Sequence, residues 1–310
     1  MGHHNEKAGQ DDGTEYKRAG IAPSITFGLD TPTRATLAYY YLKSDDTPDS
    51  GVPYQYDTVK KATVGKPVDV KQGVYYGWLD RDFQKQENQS GTLKLEHDLT
   101  DNLTISNIAV YNKSKNNYLW TQPDDSQGNI VNGEVWRRLN TNLTSTDSFT
   151  DQLALTGKFN TGAFKHKFNV GAEYAKQDSD RGGNLVTDPN TSKIGGSSSN
   201  NNANNACSLT NSNGWCTDLN NPNSRDPWLG SITANPDVMN ITSTTQSIYA
   251  LDNIEITPQW LLDVGVRWDK FETEMDYKKD NGAIKAGTNY SSDNDFFNYQ
   301  AGVTFKPTEN

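Results

Sequence analysis

Apolar and polar residues alternate position by position in a series of short stretches, the signature of strands whose two faces meet different surroundings. Between Gln152 and Phe159, Leu153, Leu155 and Phe159 alternate with Gln152, Thr156 and Lys158. Between Lys167 and Lys176, Phe168, Val170, Ala172 and Tyr174 alternate with Lys167, Asn169, Gly171 and Glu173. Only Thr161-Gly162-Ala163 intervenes, so the two stretches predict a hairpin. Leu262, Val264, Val266 and Trp268 alternate with Asp263, Gly265, Arg267 and Asp269, and Pro258-Gln259 joins that stretch to a strand over Ser247–Thr257. The same arrangement predicts Gly20–Leu29 with Arg34–Lys43 around Asp30-Thr31-Pro32-Thr33, and Thr92–Leu99 with Leu103–Tyr111 around Asp101-Asn102. Phe297, Tyr299, Ala301, Val303 and Phe305 close the series, giving about nine strands in all.

The turns just described all fall at one end of the strands. At the other end the pattern predicts long loops over 44–86, 121–146, 178–240 and 277–294, rich in Asn, Gly, Ser, Asp and Pro. Compact soluble domains seldom carry several loops of that length, whereas outer-membrane barrels pair short periplasmic turns with long extracellular loops. The fold class expected is therefore all-β, an antiparallel transmembrane β-barrel segment. In such a barrel Lys158, Glu173 and Asp263 face a wet lumen while their neighbours face lipid. Tyr39, Tyr41, Tyr174, Trp260, Trp268, Phe271 and Tyr299, near strand ends, are expected in the interfacial aromatic girdles.

Composition changes this picture only by exclusion. Hydrophobic residues are 33% of the 310, and mean hydropathy is −0.83, values that alone would suggest a solvated or disordered chain. The 15 Tyr, 10 Phe and 7 Trp, concentrated in the alternating stretches, argue for a folded sheet. A net charge of −10 excludes a nucleic-acid partner held by a basic surface. No apolar run is long enough for a membrane helix, and none follows a charged leader segment. Cys207 and Cys216, nine positions apart in an Asn/Ser/Gly-rich stretch, suit a short disulfide loop in an oxidising compartment, or else two surface thiols.

Motifs for chemistry are missing. His3, His4, His97 and His166 are dispersed, so no metal site is expected, and no nucleophile elbow, P-loop or zinc-protease motif occurs. Asp124-Asp-Ser-Gln-Gly-Asn129 has calcium-loop spacing at its start but lacks the closing Glu, and is expected to be a turn. The chain is not expected to be an enzyme.

Several whole phrases resemble the barrels of TonB-dependent siderophore receptors, the catecholate type in particular. They are the run from Tyr16 to Leu29, Thr33–Leu42, Gly51–Tyr54, Tyr76-Gly77, Arg81–Phe83, Leu262–Phe271 and Asn298–Phe305. The resemblance implies an outer-membrane barrel of about 22 strands plugged by an amino-terminal domain. It also implies capture of a ferric siderophore by plug and loops, with iron carried only as that complex, and import energised by the TonB complex through the plug. The expected location is the outer membrane of a Gram-negative bacterium, with its lipid as a further partner. Signal peptide, TonB box and plug are not found in these 310 residues, and Met1–Tyr16 resembles the remnant of an extracellular loop; an internal barrel fragment is expected.

A ferric tris-catecholate is an aromatic trianion, which rings can stack on and guanidinium groups can neutralise. Candidate ligand-binding residues are thus Tyr54, Tyr56, Tyr75, Tyr76, Trp78 and Arg81 on the first long loop, and Trp120, Trp136, Arg137 and Arg138 on the next. Trp215 and Trp228 flank the cysteine pair and either cap the same vestibule or anchor their loop. Against ligand binding stands a structural role, in which the rings pack loop on loop and the arginines pair with acids such as Asp80 and Asp82. Two other functions fit alternating strands: a soluble β-sandwich binding glycans through loop aromatics, and a general diffusion porin.

Overall fold

The computed structural model describes residues 2–7, 13–57, 59–60, 62–125, 128–187, 194–195, 207, 215–228 and 230–308. Parts of four expectations lie outside them: the loop remnant at residues 1 and 8–12, residues 58 and 61 of the loop over 44–86, the turn at Ser126-Gln127, and the middle of the loop over 178–240.

Among the described residues the chain forms β1 (Gly2–Lys7), β2 (Glu15–Ile21), β3 (Ser24–Phe27), β4 (Thr33–Asp46), β5 (Tyr54–Asp57), β6 (Ala62–Pro67), β7 (Phe83–Thr100) and β8 (Leu103–Asp124). After a 3-10 turn at Ile130–Asn132 come β9 (Glu134–Thr161), β10 (Phe164–Thr187), β11 (Ile194–Gly195), β12 (Cys216–Asp218), β13 (Ser231–Thr257), β14 (Trp260–Tyr277) and β15 (Asn289–Phe305). One antiparallel sheet runs β1-β2-β4-β7-β8-β9-β10-β13-β14-β15, nearly every strand beside its sequence neighbour, and β5-β6 form a separate hairpin. Because β2 and β3 both pair with β4 and are interrupted only at Ala22-Pro23, they make one broken strand. Proline has no N–H to give the ladder, which explains the break. Nine strands match the expectation, and β1 is a correction to it: Gly2–Lys7, expected as part of a loop remnant, is a strand paired with β2. Among the described residues the only other sheet is the two-stranded β5-β6 hairpin, too small to form the second half of a β-sandwich.

The short turns are where the pattern put them. Thr161 pairs with Phe164 across Gly162-Ala163, where Gly162 has φ +62°, the left-handed backbone that a tight hairpin turn needs. Thr257 pairs with Trp260 across Pro258-Gln259, and Thr100 with Leu103 across Asp101-Asn102.

Register sorts the side chains into two faces. Ala35, Leu95, Asn107, Leu153, Ala172, Ile248, Trp268 and Phe297 form one cross-strand row. The adjacent row, on the other face, contains Gln152, Glu173, Ser247 and Asp269. Leu153 is 47% exposed, Val170 36% and Ile248 58%, so the apolar face is not a sealed core. It is the lipid-facing side, and its polar exceptions satisfy each other: Asn107 Nδ2 donates to Asp151 Oδ1 at 2.9 Å, and His166 and Asp252 share a 2.6 Å bond. On the lumen-facing side Arg267 Nη1 donates to Glu173 Oε2 at 3.1 Å and its Nε to Asp269 Oδ1 at 2.8 Å, while Ser247 Oγ donates to Asp269 at 2.6 Å. Arg267 and Asp269 thus form interior ion pairs on the lumen side. Phe271 is a correction to the girdle: it pairs with Thr245 and Asn294 in the parity of Arg267, which puts it on the lumen side.

The loops are shorter than the pattern predicted. Connections span 47–82, 125–133, 188–230 and 278–288, and the strands run on into the rest. β9 has 28 residues, roughly 90 Å of chain at about 3.3 Å per residue, far more than a bilayer core requires. Above the lipid both faces of a strand meet water or loops, so alternation fades while the ladder hydrogen bonds continue.

The division of faces predicts a measurable asymmetry. Leu153→Arg is expected to destabilise the barrel by about 2–4 kcal/mol in lipid vesicles, while Lys158→Arg, on the lumen side, is expected to be near neutral. Urea midpoints of the membrane-inserted protein, read by tryptophan fluorescence, check both.

Candidate ligand vestibule

Above the lipid band the β8–β9 ladder presents its two faces to different partners. Odd-numbered Leu119, Val135, Arg137 and Leu139, which continue the lipid-facing parity, are covered by the loops. Leu119, Leu139 and Val186 pack with Phe83, Trp215, Trp228 and Ile232, and Tyr76, Ile130, Val135 and Leu219 form a second apolar cluster beside them.

A knot of aromatic and cationic groups joins the two clusters. Trp78 meets Trp228 edge-on at 5.0 Å and Trp215 at 6.3 Å, and those two meet each other at 5.9 Å. The Arg81 guanidinium lies 5.1 Å from the Trp78 ring and 5.2 Å from that of Trp215, and Arg137 lies 5.1 Å from Trp78. Arg81 Nε donates to Asp82 Oδ1 at 2.8 Å and its Nη2 to Thr121 Oγ1 at 2.7 Å. Arg137 Nε donates to the Tyr76 carbonyl at 3.1 Å, and its Nη1 to Asp226 Oδ2 at 2.9 Å. Tyr76 Oη donates to the Leu219 carbonyl at 2.6 Å, and Tyr75 Oη to that of Pro48 at 3.1 Å. Burial pushes the Tyr76 phenol up to about 12 and the Tyr75 phenol above its ordinary range, so both stay protonated donors. Burial also depresses Arg137, against the pull of Asp226.

The disulfide ties this cap down. Cys207 and Cys216 are bonded, with Cα atoms 5.8 Å apart. The Cys207 N–H donates to Asn129 Oδ1 at 2.9 Å, and Cys216 pairs with Trp136 where β12 adds to β9. Glu134 lies beside both sulfurs, but oxidised cysteines do not ligate a metal as thiolates do, and this is the one group of potential metal ligands among the described residues. Asp125 caps the turn at 125–130, its two oxygens accepting the N–H groups of Ile130 and Tyr56 at 2.8 Å each.

Even-numbered residues of the same ladder continue the lumen-facing parity. Trp136 stands opposite Asp124, Arg138 opposite Gln122, Trp120 opposite Asn140, and Tyr118 opposite Asn142. Tyr118 and Trp120 stack with centroids 4.0 Å apart and planes 8° from parallel. Arg138 Nη2 donates to Gln122 Oε1 at 2.7 Å, and its Nε lies 3.3 Å from Asp124.

The structure thus divides the ten candidates. Tyr75, Tyr76, Trp78, Arg81 and Arg137 are interior to the cap, where they bind loop to loop. Trp120, Trp136 and Arg138 belong to the lumen-facing wall, with Trp136 largely covered. Tyr54 is exposed and Tyr56 half-buried on the separate β5–β6 hairpin. Trp215 and Trp228 anchor their loop to the cap. Tyr118, absent from the candidates, stacks on Trp120; its place two residues away on one strand was the signal.

Residues 23–310 match the family model described as TonB dependent receptor-like, beta-barrel. The chain belongs to this family. As a TonB-dependent receptor barrel it is an outer-membrane β structure, and the lipid-facing rows above are its membrane surface. It is 59% identical over 312 residues to the probable TonB-dependent siderophore receptor PiuA of Acinetobacter baumannii, spanning 100% of this chain and 40% of that protein. It is 28% identical over 340 residues to the catecholate siderophore receptor Fiu of Escherichia coli K12, spanning 100% of this chain and 41% of Fiu. The crystal structure of the Acinetobacter baumannii receptor PiuA superposes with a TM-score of 0.89 at 58% identity, over 99% of this chain and 42% of that one. The open form of Escherichia coli Fiu, a ferric-catecholate import receptor, gives 0.79 at 26% identity, over 99% and 47%. The chain therefore spans about two fifths of the length of the curated relatives it matches.

Proposed function

We propose that this TonB-dependent receptor barrel forms part of a receptor that takes up ferric siderophore of the catecholate type, with iron entering as cargo in the chelate. The observation that carries the reading is the stacked Tyr118–Trp120 pair beside Arg138, on the lumen-facing wall above the lipid band. Such a wall offers π-faces to catechol rings and a planar cation to their oxyanions. The name of PiuA supports a siderophore and that of Fiu a catecholate siderophore. Energy from the TonB complex, delivered through a plug outside this segment, completes the proposal. A diffusion porin needs neither a plug nor a loop cap, and no specific feature of the wall favours that reading.

The test is uptake of radiolabelled iron by cells carrying the complete receptor, with iron supplied as a tris-catecholate chelate under iron limitation. Uptake dependent on both the receptor gene and TonB is expected; uptake unchanged by deletion of the receptor sinks the proposal. Within it, Trp120→Ala is expected to weaken chelate binding by about tenfold, as loss of one stacking surface does. Trp120→Phe is expected to keep most of the affinity, which fluorescence titration of the membrane-embedded receptor reads directly.

A further inference from the structure

The β10–β13 ladder breaks once. Arg181 pairs with Met239, but the next pair is Gly183 with Asn235, so Pro236, Asp237 and Val238 oppose Gly182 alone. Asp237 has φ +54°, the one non-glycine residue in left-handed backbone among the described residues. A Cβ on Gly182 would stand 2.1 Å from the Asn235 carbonyl oxygen, so only glycine permits the crossing. Pro236 needs no ladder partner, and the Val238 carbonyl accepts the N–H groups of Lys278 and Lys279 at 2.9 and 3.2 Å. This double bulge is built into the sequence, and bulges of this kind redirect side chains where a strand meets a site.

It opens a cavity of about 490 Å³ between the wall and the 278–288 connection, lined by Asn142, Arg181, Asn235, Met239, Asp280 and Asn281 among others. Arg181, Met239 and Asn142 share the lumen-facing parity. Arg181 is exposed and its guanidinium makes no hydrogen bond or ion pair to any described residue, in a chain of net charge −10 where most arginines are engaged. Asp280, the acid on the same rim, is neutralised by Lys285 at 2.7 Å, and Lys279 Nζ adds a second cation at Asn235 Oδ1.

We propose that Arg181 is a specificity-determining cation of a second subsite, in which the bulge cavity receives an anionic oxygen-donor arm of the iron chelate. The inference deepens the receptor reading and rests on it. Tyr118 and Trp120 take a ring; Arg181, with Asn142 and Asn281 beside it, takes the charge of another arm. A guanidinium that no acid among the described residues claims needs no such partner stripped from it before the ligand binds, so its bidentate donor set is available.

The experiment is quenching of intrinsic fluorescence in the complete, membrane-embedded receptor by an iron(III) tris-catecholate trianion, at low and high salt. Arg181→Ala is expected to raise Kd by about tenfold or more at low salt and to flatten the salt dependence, and Arg181→Glu to raise it further. Arg181→Lys is expected to fall between wild type and Arg181→Ala. Equal affinity in wild type and in the Ala and Glu variants overturns the subsite and leaves the receptor reading intact. Failure of the unsubstituted receptor to bind either the tris-catecholate or an anionic iron(III) carboxylate chelate overturns both.

Discussion

Arg137→Ala is expected to release the loop cap from the β8–β9 ladder while leaving the membrane band folded. The side chain is wholly buried, and its removal takes the guanidinium from the Tyr76 carbonyl, from one face of Trp78 and from Asp226, which among the described residues keeps only the Asn223 amide. Losing these charge-assisted hydrogen bonds costs about 1.5–3 kcal/mol, less than for a fully buried pair because Asp226 is 28% exposed and can rehydrate. The loss falls on the cap: the strands below keep their own lipid-facing and lumen-facing partners, and no ladder bond passes through the guanidinium. Hydrogen exchange should therefore accelerate in residues 215–228 and 74–82 and stay unchanged in 247–257 and 262–271. Arg137→Met, which restores volume without donors, should recover only part of the protection. Equal acceleration in both regions would show that cap and barrel unfold as one unit.

The second large effect is expected from Trp78→Ala. Trp78 is 1% exposed, touches two other indoles edge-on, and lies under both buried guanidinium groups. Truncating a buried Trp typically costs about 3–5 kcal/mol. Tryptophan emission of the remaining residues should shift to the red as Trp215 and Trp228 gain water. Arg137 and Trp78 are in contact, so the double variant should lose less than the sum of the two single losses. Strict additivity, measured by denaturant titration of the cap signal, would mean that the two residues hold separate pieces of the loops.

Legibility in the sequence followed the solvent. Where one face of a strand meets hydrocarbon, as at Leu153–Phe159 or Leu262–Trp268, alternation is forced and can be read directly. Where the same strands rise above the lipid, as at Thr121–Asp124 and Glu134–Thr146, both faces are polar or covered by loops, and the strand is invisible to periodicity although its ladder is unbroken. The disulfide could be read from two cysteines in a polar stretch, since spacing alone permits it. The vestibule could be read only in part. Composition identified rings and guanidinium groups in the loops, but Arg137 and Arg138 are neighbours in sequence and on opposite faces of one strand. Only the register says that the first holds the cap and the second borders the lumen. Of the two acids that the sequence offers the loop arginines, Asp80 and Asp82, the second does pair with Arg81; Arg137 instead takes Asp226, from a segment 89 residues away that no local pattern links to it.

One alternation of β8 and β9 serves two unrelated masters, hydrocarbon below and the cap above. Deleting a single residue between Tyr111 and Leu119 would turn Leu119 toward the water of the mouth and Tyr118 beneath the cap, even if the lower half kept its place. Growth or loss in these tall hairpins is thereby restricted to steps of two residues, the excess that β13 carries opposite Gly182, and the mouth of the channel inherits its frame of reading from the membrane beneath it.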